Sequence, residues 1–120
     1  MIDTALVGRT GENIAVQYLI GQGYKIRDRN VRFGRLEIDI VAYDKKRKMM
    51  VFVEVKARLN PSSKYPIRTA VDLRKRRALR QAVAKWVNEN EYEGPGRIDI
   101  ICVGSGKIQE HIMDIGSDFF

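Results

Sequence analysis

Cysteine, histidine and long apolar segments are almost absent from this sequence. Cys102 is the only cysteine and His111 the only histidine among 120 residues, so an intramolecular disulfide and a cysteine-rich zinc site are excluded. The first nine residues lack the apolar stretch of a signal peptide, and no run is long enough to span a bilayer. There is no glycine-rich loop of the P-loop type. We therefore expect a cytoplasmic protein with no membrane association.

Positive charge is in excess, with 22 lysine and arginine residues against 15 aspartate and glutamate residues and a net charge of +7. This excess suits a polyanionic partner such as nucleic acid, because neutralised phosphates supply most sequence-independent affinity. A merely basic, solvated surface explains the charge equally well. The length fits one domain, which we expect to span residues 1–120.

Hydrophobic periodicity and turn residues predict two helices and five strands. The helices are predicted at about 5–20 and 69–88, and the strands at 24–31, 36–43, 49–57, 97–103 and 108–115. The order α-β-β-β-α-β-β predicts an α/β fold, in which helices flank a mixed five-stranded sheet.

The two central strands form a predicted hairpin around the polar turn at residues 45–48. This turn places Asp39 opposite Glu54 and Glu37 opposite Lys56, since paired strands keep a constant register. Alternation then puts one set of apolar residues on a core face: Leu36, Ile38, Ile40, Ala42, Val51, Val53, Val55 and Ala57.

The other face of the hairpin carries Glu37, Asp39, Glu54 and Lys56 at the end far from the turn. Carboxylates opposed across two strands, at about 4.5–5.5 Å between Cβ atoms, repel each other, and one pKa should rise. A divalent cation between Asp39 and Glu54 would convert this repulsion into coordination, and Lys56 would lie near a metal-bound water. The alternative is a half-solvated hairpin with a Glu37–Lys56 ion pair, which leaves the opposed acids unexplained.

The segments Glu37-Ile38-Asp39 and Val53-Glu54-Val55-Lys56 resemble the signature of the PD-(D/E)xK nuclease superfamily, with Ile38 where proline often stands. Together with Gly8-Arg9-Thr10-Gly11-Glu12, Gly23-Tyr24 and the run from Phe52 to Arg58, they are similar to the YraN-type family of small bacterial proteins. That family is similar in layout to archaeal Holliday junction resolvases. The resemblance implies a restriction-endonuclease-like fold and phosphodiester cleavage of DNA, branched or structured DNA included, with Mg²⁺ or Mn²⁺. It also makes a homodimer plausible.

The resemblance also assigns roles to individual residues. It implies that Asp39, Glu54 and Val55 bind metal and that Lys56 is the catalytic lysine. Glu12 matches an acidic residue that the first helix directs at the metal. On its own, an acid two residues after Thr10 would instead complement the helix dipole in a first turn. One departure is Leu36, where the family usually has glycine.

Four basic residues are predicted contacts to nucleic acid phosphates. Arg58 directly follows the catalytic strand, and Arg74, Lys75 and Arg77 belong to the second helix. Lys75 precedes Leu79 by one helical turn and should lie near the inner edge of that helix.

Two other functions remain open at this stage. The chain could be a nucleic-acid-binding module on a nuclease fold with weak or no catalysis, or a factor that binds only proteins. His111 has no sequence neighbour that suggests a metal site, and Trp86 and Cys102 are expected in the core. Asp99 could pair with Arg97 or lie near the end of the sheet, and it is left without a role.

Overall fold

The computed structural model describes residues 4–58 and 73–115, with the side chains of residues 10–56 and 75–115. The predicted order of elements is confirmed. The helices are α1, Thr4–Gly21, and α2, Leu73–Glu89. The strands are β1, Tyr24–Phe33; β2, Leu36–Asp44; β3, Met49–Arg58; β4, Gly96–Gly104; and β5, Lys107–Ile112. In the described part of the chain, neither helix is long and apolar enough to cross a membrane.

Apart from the start of α2 and the end of β5, the element ends lie within two residues of the prediction. The start predicted for the second helix, at residues 69–72, lies outside the described residues. Strand β5 ends at Ile112 rather than at Ile115, because Asp114 adopts a left-handed backbone conformation with φ of 58°, which interrupts an extended strand.

The five strands form one mixed sheet in the order β1-β2-β3-β4-β5. Only β3 and β4 are parallel, and the connection between them contains α2, as a parallel crossover requires. Helix α1 packs on one apolar cluster of the sheet, which includes Leu19, Ile40 and Val53. Helix α2 packs on another, which includes Phe52 and Trp86. The central strands are therefore covered on both faces.

The predicted hairpin register is confirmed from Asp44–Met49 to Ile40–Val53. The predicted opposition of Asp39 to Glu54 and of Glu37 to Lys56 is not part of this ladder, which ends at Ile40. Beyond that point β2 remains paired with β1 through Ile38, Glu37 and Leu36. The two central strands thus separate at the end where the acidic residues lie.

The predicted core face of β2 is wrong at Leu36 and Ile38. Both side chains pack in the α2-side cluster with Phe52, whereas Ile40 and Ala42 pack in the α1-side cluster. The change of side occurs where pairing with β3 stops, because only the β1 ladder then orients the strand. The side chain of Ala57 lies outside the described residues.

Candidate active site

The separation of β2 from β3 creates a place for a carboxylate between the two strands. Asp39 Oδ2 accepts a hydrogen bond of 2.7 Å from the backbone N–H of Val55. This bond replaces the carbonyl that β2 would supply if the ladder continued, so the N–H group remains paired. Val55, predicted as a metal-site residue, therefore positions Asp39 through its backbone.

Asp39 is held among other negative charges. Burial, followed by the carboxylate of Glu54, raises the pKa of Asp39 from 3.8 to about 7, while the Val55 hydrogen bond opposes the rise. Glu12 and Glu37 raise it further. The pKa of one acid was predicted to rise because two carboxylates oppose each other. The pKa of Asp39 does rise, but burial is the largest cause and the carboxylate of Glu54 only the second.

Glu54 is buried, with 8% of the residue exposed, and is neutralised by lysines. Its Oε1 atom lies 2.8 Å from Lys75 Nζ and 3.7 Å from Lys56 Nζ. Glu37, by contrast, lies 3.8 Å from Arg32. The alternative prediction was an ion pair between Glu37 and Lys56, but Glu37 pairs with Arg32 and Lys56 with Glu54.

The pKa values of Lys56 and Lys75 are shifted in opposite directions. Burial, then a hydrogen bond and repulsion from Lys75, lower the pKa of Lys56. Burial also acts to lower the pKa of Lys75, but its hydrogen bonds to Glu54 and Lys56 outweigh this and raise it. Lys75 is therefore the firmly protonated member of the pair, and Lys56 gives up its proton more readily.

Glu12 joins the same electrostatic group from α1. Burial, opposed by Arg29 and reinforced by Glu37 and Glu54, raises the pKa of Glu12. The Asn30 amide nitrogen lies 2.9 Å from Oε1 and 3.2 Å from Oε2 of Glu12 when the amide is oriented to donate. Because α1 begins at Thr4, the interpretation of Glu12 as a first-turn residue is wrong. We call Glu12, Glu37, Asp39 and Glu54 the acidic cluster.

The acidic cluster opens into a hollow of about 200 Å³. Glu37, Asp39 and Glu54 line it together with Arg35 and Lys75. Among the described residues, no three acidic, histidine or cysteine side chains stand close enough to hold a metal ion jointly. The donors that Asp39 and Glu54 offer are hard carboxylate oxygens, and such a set fits Mg²⁺, which is commonly held by one or two carboxylates and keeps several water ligands.

The predicted phosphate-binding residues are only partly gathered at this hollow. Lys75 lines it, and Arg77 is exposed on α2. Arg58 ends β3 and Arg74 lies in the first turn of α2, but their side chains lie outside the described ones. Leu36, the departure from the family pattern, packs against the α2-side cluster.

A second buried polar group was not predicted from the sequence, and we call it the Arg97 network. The guanidinium of Arg97 donates to Asp44 at 2.8 Å, to Asp99 at 2.9 Å and to the Tyr24 hydroxyl at 2.6 Å. His111 Nε2 lies 2.7 Å from Asp99, and its Nδ1 lies 2.9 Å from the Tyr18 hydroxyl. The available signal was a pair of charges, Arg97 and Asp99, inside an otherwise apolar strand.

Comparisons with known proteins identify the family to which this chain belongs. The model of the "Uncharacterised protein family UPF0102" matches residues 11–103. A UPF0102 protein of Syntrophotalea carbinolica is 43% identical over 98 residues, covering 81% of this chain and 77% of that protein. One of Trichlorobacter lovleyi is 39% identical over 111 residues, covering 88% and 86%. One of Chlorobaculum parvum is 36% identical over 104 residues, covering 87% and 79%.

Among solved structures, SfsA of Pyrococcus furiosus in complex with Ca²⁺ matches with a TM-score of 0.40 and 19% identity. The match covers 94% of this chain but 63% of the SfsA chain. The sequence relatives and the family model show that the chain belongs to the family UPF0102, which confirms the predicted YraN-type membership.

Proposed function

We propose that this member of the family UPF0102 is a Mg²⁺-dependent endonuclease-like protein that acts on DNA, with branched or structured DNA as a candidate substrate. The observation that carries the proposal is the acidic cluster itself. It gathers carboxylates from α1, β2 and β3 beside two lysines, where the central strands separate. Carboxylates whose pKa is perturbed by burial and by specific charged neighbours, and which line an open hollow, are candidates for a functional site.

In this proposal Asp39 and Glu54 would hold the cation, whose charge would offset the burial and the carboxylate repulsion that raise the pKa of Asp39. A bound cation would supply positive charge at the scissile phosphate and would lower the pKa of a water molecule in the site. Lys56 would be suited to accept a proton from the attacking water, because its pKa is lowered. Lys75 stays charged and is suited to a phosphate oxygen, and Glu12 completes the negative field that attracts the cation.

A cleavage assay tests the proposal. Linear, nicked and four-way DNA would be incubated with the protein in Mg²⁺ or Mn²⁺, and the same assay run on Glu54→Ala and Lys56→Ala. We expect either substitution to lower the cleavage rate roughly a hundredfold or more. Glu110→Ala and Lys107→Ala make matching charge changes at exposed positions of β5 and should cleave like the wild type. Cleavage that survives both site substitutions would belong to a contaminant, and the proposal would fail.

The second candidate is a nucleic-acid-binding module with weak or no catalysis. It is favoured by Leu36, a branched side chain that packs near the site where the family usually has glycine. Binding that weakens with salt, is unchanged by Asp39→Asn and is never followed by cleavage across metals and substrates would favour this function instead.

A further inference from the structure

Glu54 already has a cation beside it. Lys75 Nζ lies 2.8 Å from Glu54 Oε1, a distance typical of a charge-assisted hydrogen bond. Lys56 Nζ lies farther from the same oxygen, at 3.7 Å. The carboxylate proposed to bind the metal is therefore held most closely by an ammonium group from another element, α2.

An ammonium group and a divalent cation compete for this position. A metal ion on Glu54 would stand a few ångströms from Lys75 Nζ, and the site is only partly open to water, so solvent and salt would screen their repulsion poorly. Both lysines end a flexible four-carbon stem. The side chain of Lys75 is 38% exposed and that of Lys56 is 26% exposed, so Lys75 has more room to move into the hollow.

The geometry points to Lys75 as a placeholder for the metal: we propose that it neutralises Glu54 in the metal-free protein and is displaced when a divalent cation binds. The inference rests on the proposed metal site and adds a positioning residue that controls its occupancy. A purely structural ion pair makes the opposite prediction, because loss of Lys75 would then disorder Glu54 and weaken metal binding.

Calorimetric titration with Mn²⁺ alone separates these two roles. The proteins compared are the wild type, Lys75→Met, Lys75→Arg and Arg77→Met. The methionine variant removes the competing charge but keeps an unbranched side chain, so we expect it to bind Mn²⁺ about tenfold more tightly, within the usual range of coupling between two ligands. Lys75→Arg keeps the charge and should bind about as weakly as the wild type.

Arg77→Met is the matched control, since it removes one exposed positive charge from the same helix. It should change Mn²⁺ affinity far less than Lys75→Met. If the two variants improve affinity equally, the effect is a general charge effect and the inference fails. Unchanged or weaker binding by Lys75→Met also overturns it.

Thermal melting with and without Mn²⁺ provides a second readout that does not depend on activity. Lys75→Met should melt lower than the wild type without metal, because Glu54 loses its closest cation, and should gain more from Mn²⁺. Equal gains in both proteins overturn the inference but leave the proposed function standing. Absence of Mn²⁺ binding and of metal-dependent melting in every variant would overturn the metal site as well.

Discussion

The acidic cluster and the Arg97 network are both groups of buried or partly buried charges on the same sheet, but they balance charge differently. In the Arg97 network, hydrogen bonds from Arg97 and Arg47 outweigh the effect of burial and lower the pKa of Asp44 to about 2. In the acidic cluster, burial and neighbouring carboxylates raise the pKa of Asp39 to about 7. The carboxylates of the first group are paired with Arg97, whereas in the second group the charged form of Asp39 is disfavoured by its surroundings.

Cavity size does not make this distinction. A hollow of about 310 Å³ lies beside Arg47 and Arg97, and it is larger than the hollow of about 200 Å³ at the acidic cluster. Arg97, which lines the larger hollow, is already paired with the buried carboxylates of Asp44 and Asp99. Unbalanced charge, rather than the size of a hollow, therefore distinguishes the acidic cluster as the candidate site.

The largest expected effect is loss of the Arg97 network. Arg97→Ala leaves Asp44 and Asp99 buried at 2% and 0% exposure without their shared cation. Removing one partner of a buried ion pair typically costs about 3–5 kcal/mol, and we expect a loss of this size in the free energy of unfolding, measured with urea. Arg77→Ala, on the exposed face of α2, should stay within about 0.5 kcal/mol of the wild type. Equal losses in both variants would show that the network is not the source of stability.

Sequence reasoning succeeded where local patterns carry the information. Four polar residues between two apolar runs predicted the hairpin turn, and the turn predicted the register from Asp44–Met49 to Ile40–Val53. The prediction of which face Ile38 occupies was wrong, because the register of a hairpin does not indicate where its two strands separate. That separation depends on Asp39 taking the N–H of Val55.

Side-chain contacts between residues far apart in the chain could not be predicted from the sequence either. The Arg97 network joins residues 53 and 73 positions apart, and none of its members is unusual locally except the charges in β4. The Lys75–Glu54 pair depends on where α2 packs across the sheet, which helical periodicity alone does not determine. Membership of the acidic cluster was predicted more fully than the cations that neutralise it.

Neutralising one aspartate in each group should change stability in opposite directions. At pH 8 without metal, Asp44→Asn should lower the free energy of unfolding by about 2–3 kcal/mol, since it loses the charge that Arg97 stabilises. Asp39→Asn should raise it by about 1–3 kcal/mol, because it removes repulsion while its amide oxygen can still accept the Val55 hydrogen bond. A loss of several kcal/mol in Asp39→Asn would instead identify the acidic cluster as structural.

The pH dependence of unfolding distinguishes the two groups within the wild-type protein. The pKa of Asp44 is lowered on folding, so its contribution is present above its ordinary pKa of 3.8 and is lost as the pH falls through about 2. The pKa of Asp39 is raised on folding, so the contribution of Asp39 to stability is fully present below its ordinary pKa of 3.8 and is lost as the pH rises through about 7. Asp39→Asn should therefore flatten the stability curve between pH 4 and 7, and an unchanged slope would contradict the assignment.

The smallest expected effect concerns Tyr18, which contributes a hydroxyl to the edge of the Arg97 network. Tyr18→Phe keeps the ring, whose centroid lies 5.6 Å from that of His111 in an edge-on contact, and removes only the 2.9 Å hydrogen bond to His111. The loss in the free energy of unfolding should be about 1 kcal/mol, compared with a near-zero change for Tyr43→Phe, whose ring packs in the α2-side cluster. If the network is cooperative, Tyr18→Phe should lower the free energy of unfolding by measurably less in an Arg97→Ala background. The hydrogen bonds that link Tyr18 to Arg97 through His111 and Asp99 then no longer reach the guanidinium. Equal costs in both backgrounds would mean that Tyr18 and Arg97 stabilise the sheet independently.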